Sequence, residues 1–155
     1  MKVRDLMTSD VEACRPDTDL AAVARMMWDR DCGFIPVVDA AGVLCGVVTD
    51  RDICMGVATK GRTASHIAAR EVMSRTLHAC LPDDDVMAAL DTMKEAKIRR
   101  LPVIDENGHL KGILSLNDAV LRVKPKGSPS VEKVVNTLKG ICGHRRLEEL
   151  ALAAG

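Results

Sequence analysis

Two short stretches of the chain set a hydroxyl and a carboxylate three positions apart, Thr49-Asp50-Arg51-Asp52 and Ser115-Leu116-Asn117-Asp118, each at the boundary between an apolar run and a helical pattern. A carboxylate has acceptor capacity for two neighbouring hydroxyls at once, as a ribose presents them, and the free N–H groups at the start of a helix favour a nearby phosphate. The same [ST]-x-x-D pattern is also a capping box, which only satisfies the first backbone donors of the helix. The two roles can coexist. Arg99-Arg100, immediately before Leu101-Pro102, puts two guanidinium groups at the mouth of a buried strand. Such forks suit phosphate; the alternative is that both side chains project from a sheet edge into solvent.

The elements that must position these groups are legible from an internal repeat. Offset by 66 residues, the first half of the chain aligns with the second without a gap: Met7 meets Met73, Cys14 meets Cys80, Pro16-Asp17 meets Pro82-Asp83, Pro36-Val37 meets Pro102-Val103, and Asp39, Gly42, Gly46 and Asp52 meet Asp105, Gly108, Gly112 and Asp118. Each copy opens with a short extended segment, around Leu6-Met7 or Val72-Met73. An Asp-rich start then leads into apolar residues at helical spacing, Leu20, Val23, Ala24 and Met27 or Val86, Ala89, Leu90 and Met93. Two apolar runs joined by a glycine-containing turn read as paired strands, and a second helix begins at once. A unit this small leaves apolar strand faces uncovered, so the two copies are expected to pack against each other about a pseudo-twofold axis. The expected division is 1–62, 63–124 and a tail over 125–155.

Composition removes several function classes. Charge is balanced at 22 basic and 22 acidic residues, and Trp28 and Phe34 are the only aromatics, so neither the electrostatic footprint nor the stacking platforms of a nucleic-acid binder are present. The segment MKVRDLMTSD has no apolar signal region and no stretch approaches the roughly 20 apolar residues that span a bilayer. No membrane association and a cytoplasmic location are therefore expected. Six cysteines without a C-x-x-C pair, placed in apolar runs, read as buried reduced thiols. His66, His78, His109 and His144 are scattered and none recurs in the repeat, which leaves no nucleophile–base pair, and no catalytic residues are assigned. Cys142 and His144 lack a second ligand pair, so no metal site is expected.

The stretches IPVVDAAGVLCGVVTDRD and LPVIDENGHLKGILSLND resemble the CBS (cystathionine-β-synthase-type) domain, and their two in-phase copies are similar to the tandem pair, or Bateman module, of that family. The resemblance covers about four-fifths of the chain. It implies an α/β fold of two repeats, each a short sheet with two helices, packed about a pseudo-twofold axis. It further implies a regulatory module that senses an adenosine-containing ligand in the clefts between the repeats and signals by conformational change. The expected ligand is AMP, ADP or ATP, with NAD or S-adenosylmethionine less favoured. A homodimer and an unidentified regulated protein are the implied partners. The competing expectation is an adaptor that dimerises and docks a partner without nucleotide.

In family members that bind nucleotides, basic residues of one repeat reach the phosphates of a ligand whose ribose is held by the Asp of the other. Carried onto this chain, the primary cleft would use Thr49, Arg51 and Asp52 with Arg99, Arg100 and the Val72-Met73 segment. The second would use Ser115, Asn117 and Asp118 with Gly33, Phe34 and the Met7-Thr8 segment. Because Gly33-Phe34 stands where the other copy has Arg99-Arg100, the Asp52 cleft is expected to take phosphorylated ligands. The Asp118 cleft is expected to be nucleoside-like or empty. Beyond the repeats, PKGSPS reads as a linker, and Ser130 as the N-cap of a C-terminal helix with Val131, Val134, Val135, Leu138, Ile141 and Cys142 on one face. That helix either packs back on the module or contacts a second chain.

Overall fold

The fold is that of a computed structural model, which describes residues 1–123, 127 and 129–143. Asp19 and Asp85, at equivalent positions of the repeat, hold extended backbone and accept from the N–H groups of Ala22 and Met87, which starts a helix in each copy. Helix α1 (Leu20–Asp29) buries Leu20, Val23 and Met27. The expected inward face is also that of the second copy's helix, residues 86–96, which buries Val86, Ala89, Leu90 and Met93. After each helix a non-glycine residue takes the left-handed conformation, Asp31 (φ 48°) and Lys97 (φ 54°), and turns the chain into its first strand.

In the first copy β1 (Phe34–Val38) pairs antiparallel with β2 (Leu44–Thr49), and α2 (Asp50–Lys60) follows without a gap. The second copy repeats this. After α3 (Val86–Ala96) come β3 (Arg100–Ile104), β4 (Leu110–Ser115) and α4 (Leu116–Arg122). The hairpin turns are built by Asp39 and Asp105. Asp39 Oδ1 accepts from the N–H groups of Ala41 and Val43, and Asp105 Oδ1 from those of Asn107 and His109. The His109 N–H bond, helped by Lys111, holds the Asp105 carboxyl down at about 2. Gly42 and Gly108 supply the positive φ these turns need (82° and 83°). The two turns meet: the Leu44 N–H donates to Gly108 O at 3.0 Å, and Val43 bridges His109.

Each hairpin is flanked by one segment from its own copy and one from the other. Beside the first strand of each hairpin Cys14 runs parallel to Val37 and Cys80 to Val103. Beside the second strand the segments cross over, Thr8 pairing with Ile113 of the second copy and Ser74 with Val47 of the first. The exchange extends into the cores. Val3 and Leu6 are buried with Val86, Leu90, Leu101 and Leu114 of the second copy. Ala69, with Val72 and Met73 beside it, belongs with Val23, Ile35, Val37 and Val48 of the first. The opening segments, which the repeat alone assigns to their own copies, thus complete the opposite ones.

Helix α5 (Val131–Cys142), capped by Ser130, packs on α3: Val134 enters the second core, Ile141 lies against it, and Lys133 pairs with Asp91. The tail therefore packs back on the module. Its inward stripe is Val134, Thr137 and Ile141 rather than the whole apolar set, and Val131, Val135 and Leu138 stay exposed. Thr137 tolerates burial because its hydroxyl donates to the Lys133 carbonyl one turn earlier. His144 lies outside the described residues. The cysteines also divide. Burial pushes the Cys14 and Cys80 thiols up to about 11 and about 12. Cys32 and Cys45 are half-buried, while Cys54 and Cys142 are exposed, contrary to the expectation of uniform burial, because they fall on the outer faces of α2 and α5. Among the described residues no helix is long and apolar enough to cross a membrane.

Gly46 and Gly112 sit where the exchanged segments press on β2 and β4. A Cβ at Gly112 would lie 2.6 Å from the Thr8 carbonyl oxygen, whereas one at Gly46 would lie 2.5 Å from Met73 Sδ, on a side chain that can yield. Gly112→Ala is expected to cost about 2 kcal/mol in urea unfolding and Gly46→Ala distinctly less. The reverse order would contradict the crossed pairing.

Candidate functional site

The strand-to-helix junctions are capping boxes in both copies. Asp52 Oδ2 accepts from the Thr49 N–H and hydroxyl, both at 2.8 Å, and the Asp52 N–H donates back to Thr49 Oγ1 at 3.2 Å. Asp118 Oδ2 accepts from the Ser115 N–H and hydroxyl, both at 2.7 Å, and the Asp118 N–H returns to Ser115 Oγ at 3.2 Å. Each cap thus uses one carboxylate oxygen. Among the described residues Oδ1 of either Asp has no hydrogen-bond partner and keeps its acceptor capacity. Capping and hydroxyl recognition are compatible at both junctions.

The surroundings of the two junctions differ. A cavity of about 470 Å³ gathers Ser115, Asn117 and Asp118 of the second copy with Thr8 and Phe34 of the first. It is within the range of small-molecule sites. Thr8 reaches it because its crossed pairing with Ile113 lays the opening segment along β4, and Ile113 itself lines the wall. Phe34 is buried at the start of β1 and presents an aromatic surface suited to a base. Of the residues expected around this cleft, Met7 packs instead against the second core, and Gly33 lines a neighbouring cavity.

Arg100 is the residue whose position the sequence did not convey. Its cross-strand partner is Ser115, and it lines the cavity containing Asp118. It also lines a second, open cavity of about 400 Å³ with Met27, Trp28, Gly33, Asp50 and Ile53. Among the described residues no carboxylate is within ion-pair distance of Arg100, and the side chain is half-buried. Arg99 is exposed. The adjacent arginines therefore split, one facing the cavities and one lining neither.

Of the residues expected around Asp52, Arg100 alone lines either cavity, and Thr49, Arg51, Asp52, Val72, Met73 and Arg99 do not. Val72 and Met73 are taken up by the first core, where Val72 rests on Gly56 of α2 and Met73 on Gly46 of β2. The remaining wall of the Asp118 cavity is charged. Asp10 and Glu12 hold Arg30, at 3.0 Å and 3.4 Å, and Asp31 stands beside them. Their repeat partners are Thr76, His78, Ala96 and Lys97, so the asymmetry was visible as mismatches between the copies, although the grouping was not. No cluster of three His, Cys, Asp or Glu side chains able to hold a metal occurs among the described residues.

Residues 3–58 and 69–124 each match the family model of the CBS domain. The CBS domain-containing protein YhcV of Bacillus subtilis is 38% identical over 116 residues, covering 75% of this chain and 81% of its own. Hypoxic Response Protein I, solved with two coordinated zinc ions, superposes with a TM-score of 0.73 at 27% identity, over 80% of this chain and all of its own. CBSX2, solved in complex with AMP, superposes with a TM-score of 0.67 at 25% identity, over 77% of this chain and 93% of its own.

Proposed function

This chain belongs to the CBS domain family, and from that premise we propose that it is a regulatory module binding an adenosine-containing ligand in the cavity between Phe34 and Asp118. The observation that carries this reading is the unused acceptor of Asp118. One oxygen closes the helix cap, the other has no hydrogen-bond partner among the described residues, and Asp118 lines a cavity together with an aromatic surface, Phe34, and a guanidinium with no carboxylate partner among the described residues, Arg100. These three features suit a ribose, a purine and an anionic substituent. The AMP bound by CBSX2 supports the same ligand class. Thr8 and Asn117 complete the wall, and Asp52 with Thr49, Arg51 and Arg99 forms a second, pseudo-symmetric position of lower capacity.

Signalling would pass through the crossed segments. A ligand that touches Thr8 and Asp118 spans the first copy's opening segment and the second copy's last helix, so occupancy couples both halves. A regulatory rather than catalytic role fits this arrangement, since the hydroxyl–carboxylate pair at the cavity, Ser115 and Asp118, is committed to capping α4.

A docking reading has its own support. Val120 and Leu121 of α4 and Val131, Val135 and Leu138 of α5 are exposed, which is the surface expected if the module pairs with a second copy. Sedimentation equilibrium is expected to give twice the chain mass and Leu121→Glu a single chain; a wild-type protein that sediments as one chain would remove this reading.

For the ligand reading, Asp118→Asn is the sharper substitution, because its carbonyl oxygen still caps α4 while its amide replaces the free acceptor with a donor. It is expected to weaken AMP binding at least about tenfold in calorimetry, the loss of a hydrogen bond to a charged acceptor, with Asp52→Asn having a smaller effect. Equal losses at the two positions, or none at Asp118, would overturn the assignment.

A further inference from the structure

The charge on the wall of the Asp118 cavity limits what the ligand can carry. Four carboxylates line it, Asp10, Glu12, Asp31 and Asp118, against two guanidinium groups, Arg30 and Arg100. Arg30 is already engaged, its Nη1 3.0 Å from Asp10 Oδ2 and its Nε 3.4 Å from Glu12 Oε1. That leaves Arg100 as the one cation lining the cavity with no carboxylate partner among the described residues. A single anionic group has a place beside it. Each further anionic group meets carboxylates with no second unengaged guanidinium to compensate, and like charges at close range oppose binding.

Resting on the reading of this cavity as an adenosine site, we propose that it admits adenosine ligands carrying at most one anionic group and rejects polyphosphates. Asp10 and Glu12 set that limit by holding Arg30. The first copy supplies all three residues: Asp10 and Glu12 lie between the crossed segment and Cys14, and Arg30 closes α1. The corresponding residues of the second copy, Thr76, His78 and Ala96, contain no carboxylate and no guanidinium, so the filter is confined to one of the two pseudo-equivalent positions. Asp10 and Arg30 are exposed enough for salt to screen them (side chains 87% and 41% exposed), so the discrimination is greatest at low ionic strength.

The test is calorimetric titration of the full chain with adenosine, AMP and magnesium-free ATP at low salt. The Asp10→Asn/Glu12→Gln double variant is titrated alongside, after its melting curve has shown that it folds. Wild-type protein is expected to bind ATP at least about tenfold more weakly than AMP. The double variant, which removes two carboxylates and releases Arg30, is expected to narrow that ratio severalfold. Arg100→Gln should reduce AMP affinity towards that of adenosine. ATP binding as tightly as AMP, or an AMP-to-ATP ratio the double variant does not move, would overturn the filter while leaving the adenosine site standing. Failure of all three ligands to bind would overturn the site and the filter with it.

Discussion

The crossed opening segments are the constraint on which the rest of this structure depends. A hairpin and two helices bury too little apolar surface to stand alone, and each copy is completed by the first residues of the other. Val3 and Leu6 enter the second core, while Ala69, Val72 and Met73 enter the first. Neither half has a complete core by itself, and the hydrogen bond between the two hairpin turns, Leu44 to Gly108, adds to that junction. The Asp118 cavity is a product of this exchange, since one of its walls is the Thr8 segment held against Ile113.

The same economy governs the strand-to-helix junctions. A capping box consumes one oxygen of its Asp, and the remaining oxygen is available for a hydroxyl without loss of the cap. Around Asp52 the Val72-Met73 segment is consumed by the first core, with Met73 against Gly46. Around Asp118 the equivalent Leu6-Met7 segment is likewise taken up by the second core, and Thr8, Phe34 and Arg100 line the cavity. Two nearly identical junctions thereby acquire different surroundings from the residues the repeat does not duplicate.

Much of the fold was legible because it depends on periodicity and on local chemistry. The inward faces of α1 and α3, the hairpins and the Asp caps all follow from spacing and residue type, and they stand where the sequence put them. What spacing could not convey was register between elements. Arg100 falls opposite Ser115 because β3 and β4 pair residue for residue at that end, and it lines both cavities, one with Asp118 and one with Asp50 and Ile53. The Asp10–Arg30–Glu12 cluster joins residues up to 20 positions apart, from the segment before α1 to the end of that helix. The split of α5 into a buried Val134–Thr137–Ile141 stripe and an exposed Val131–Val135–Leu138 one is set by where α3 lies, which its own amphipathicity does not encode.

The central claim is that the adenosine site is the Asp118 cavity, with Arg100 serving it from the same hairpin. The most direct measurement is a titration of isotopically labelled protein with AMP, followed residue by residue through backbone amide resonances. The account predicts the largest shifts at Thr8, Phe34, Arg100 and Ser115 through Asp118, with Thr49 through Asp52 moving less. Shifts centred on Thr49 through Asp52 and Met73, with Phe34 and Asp118 unmoved, would contradict it.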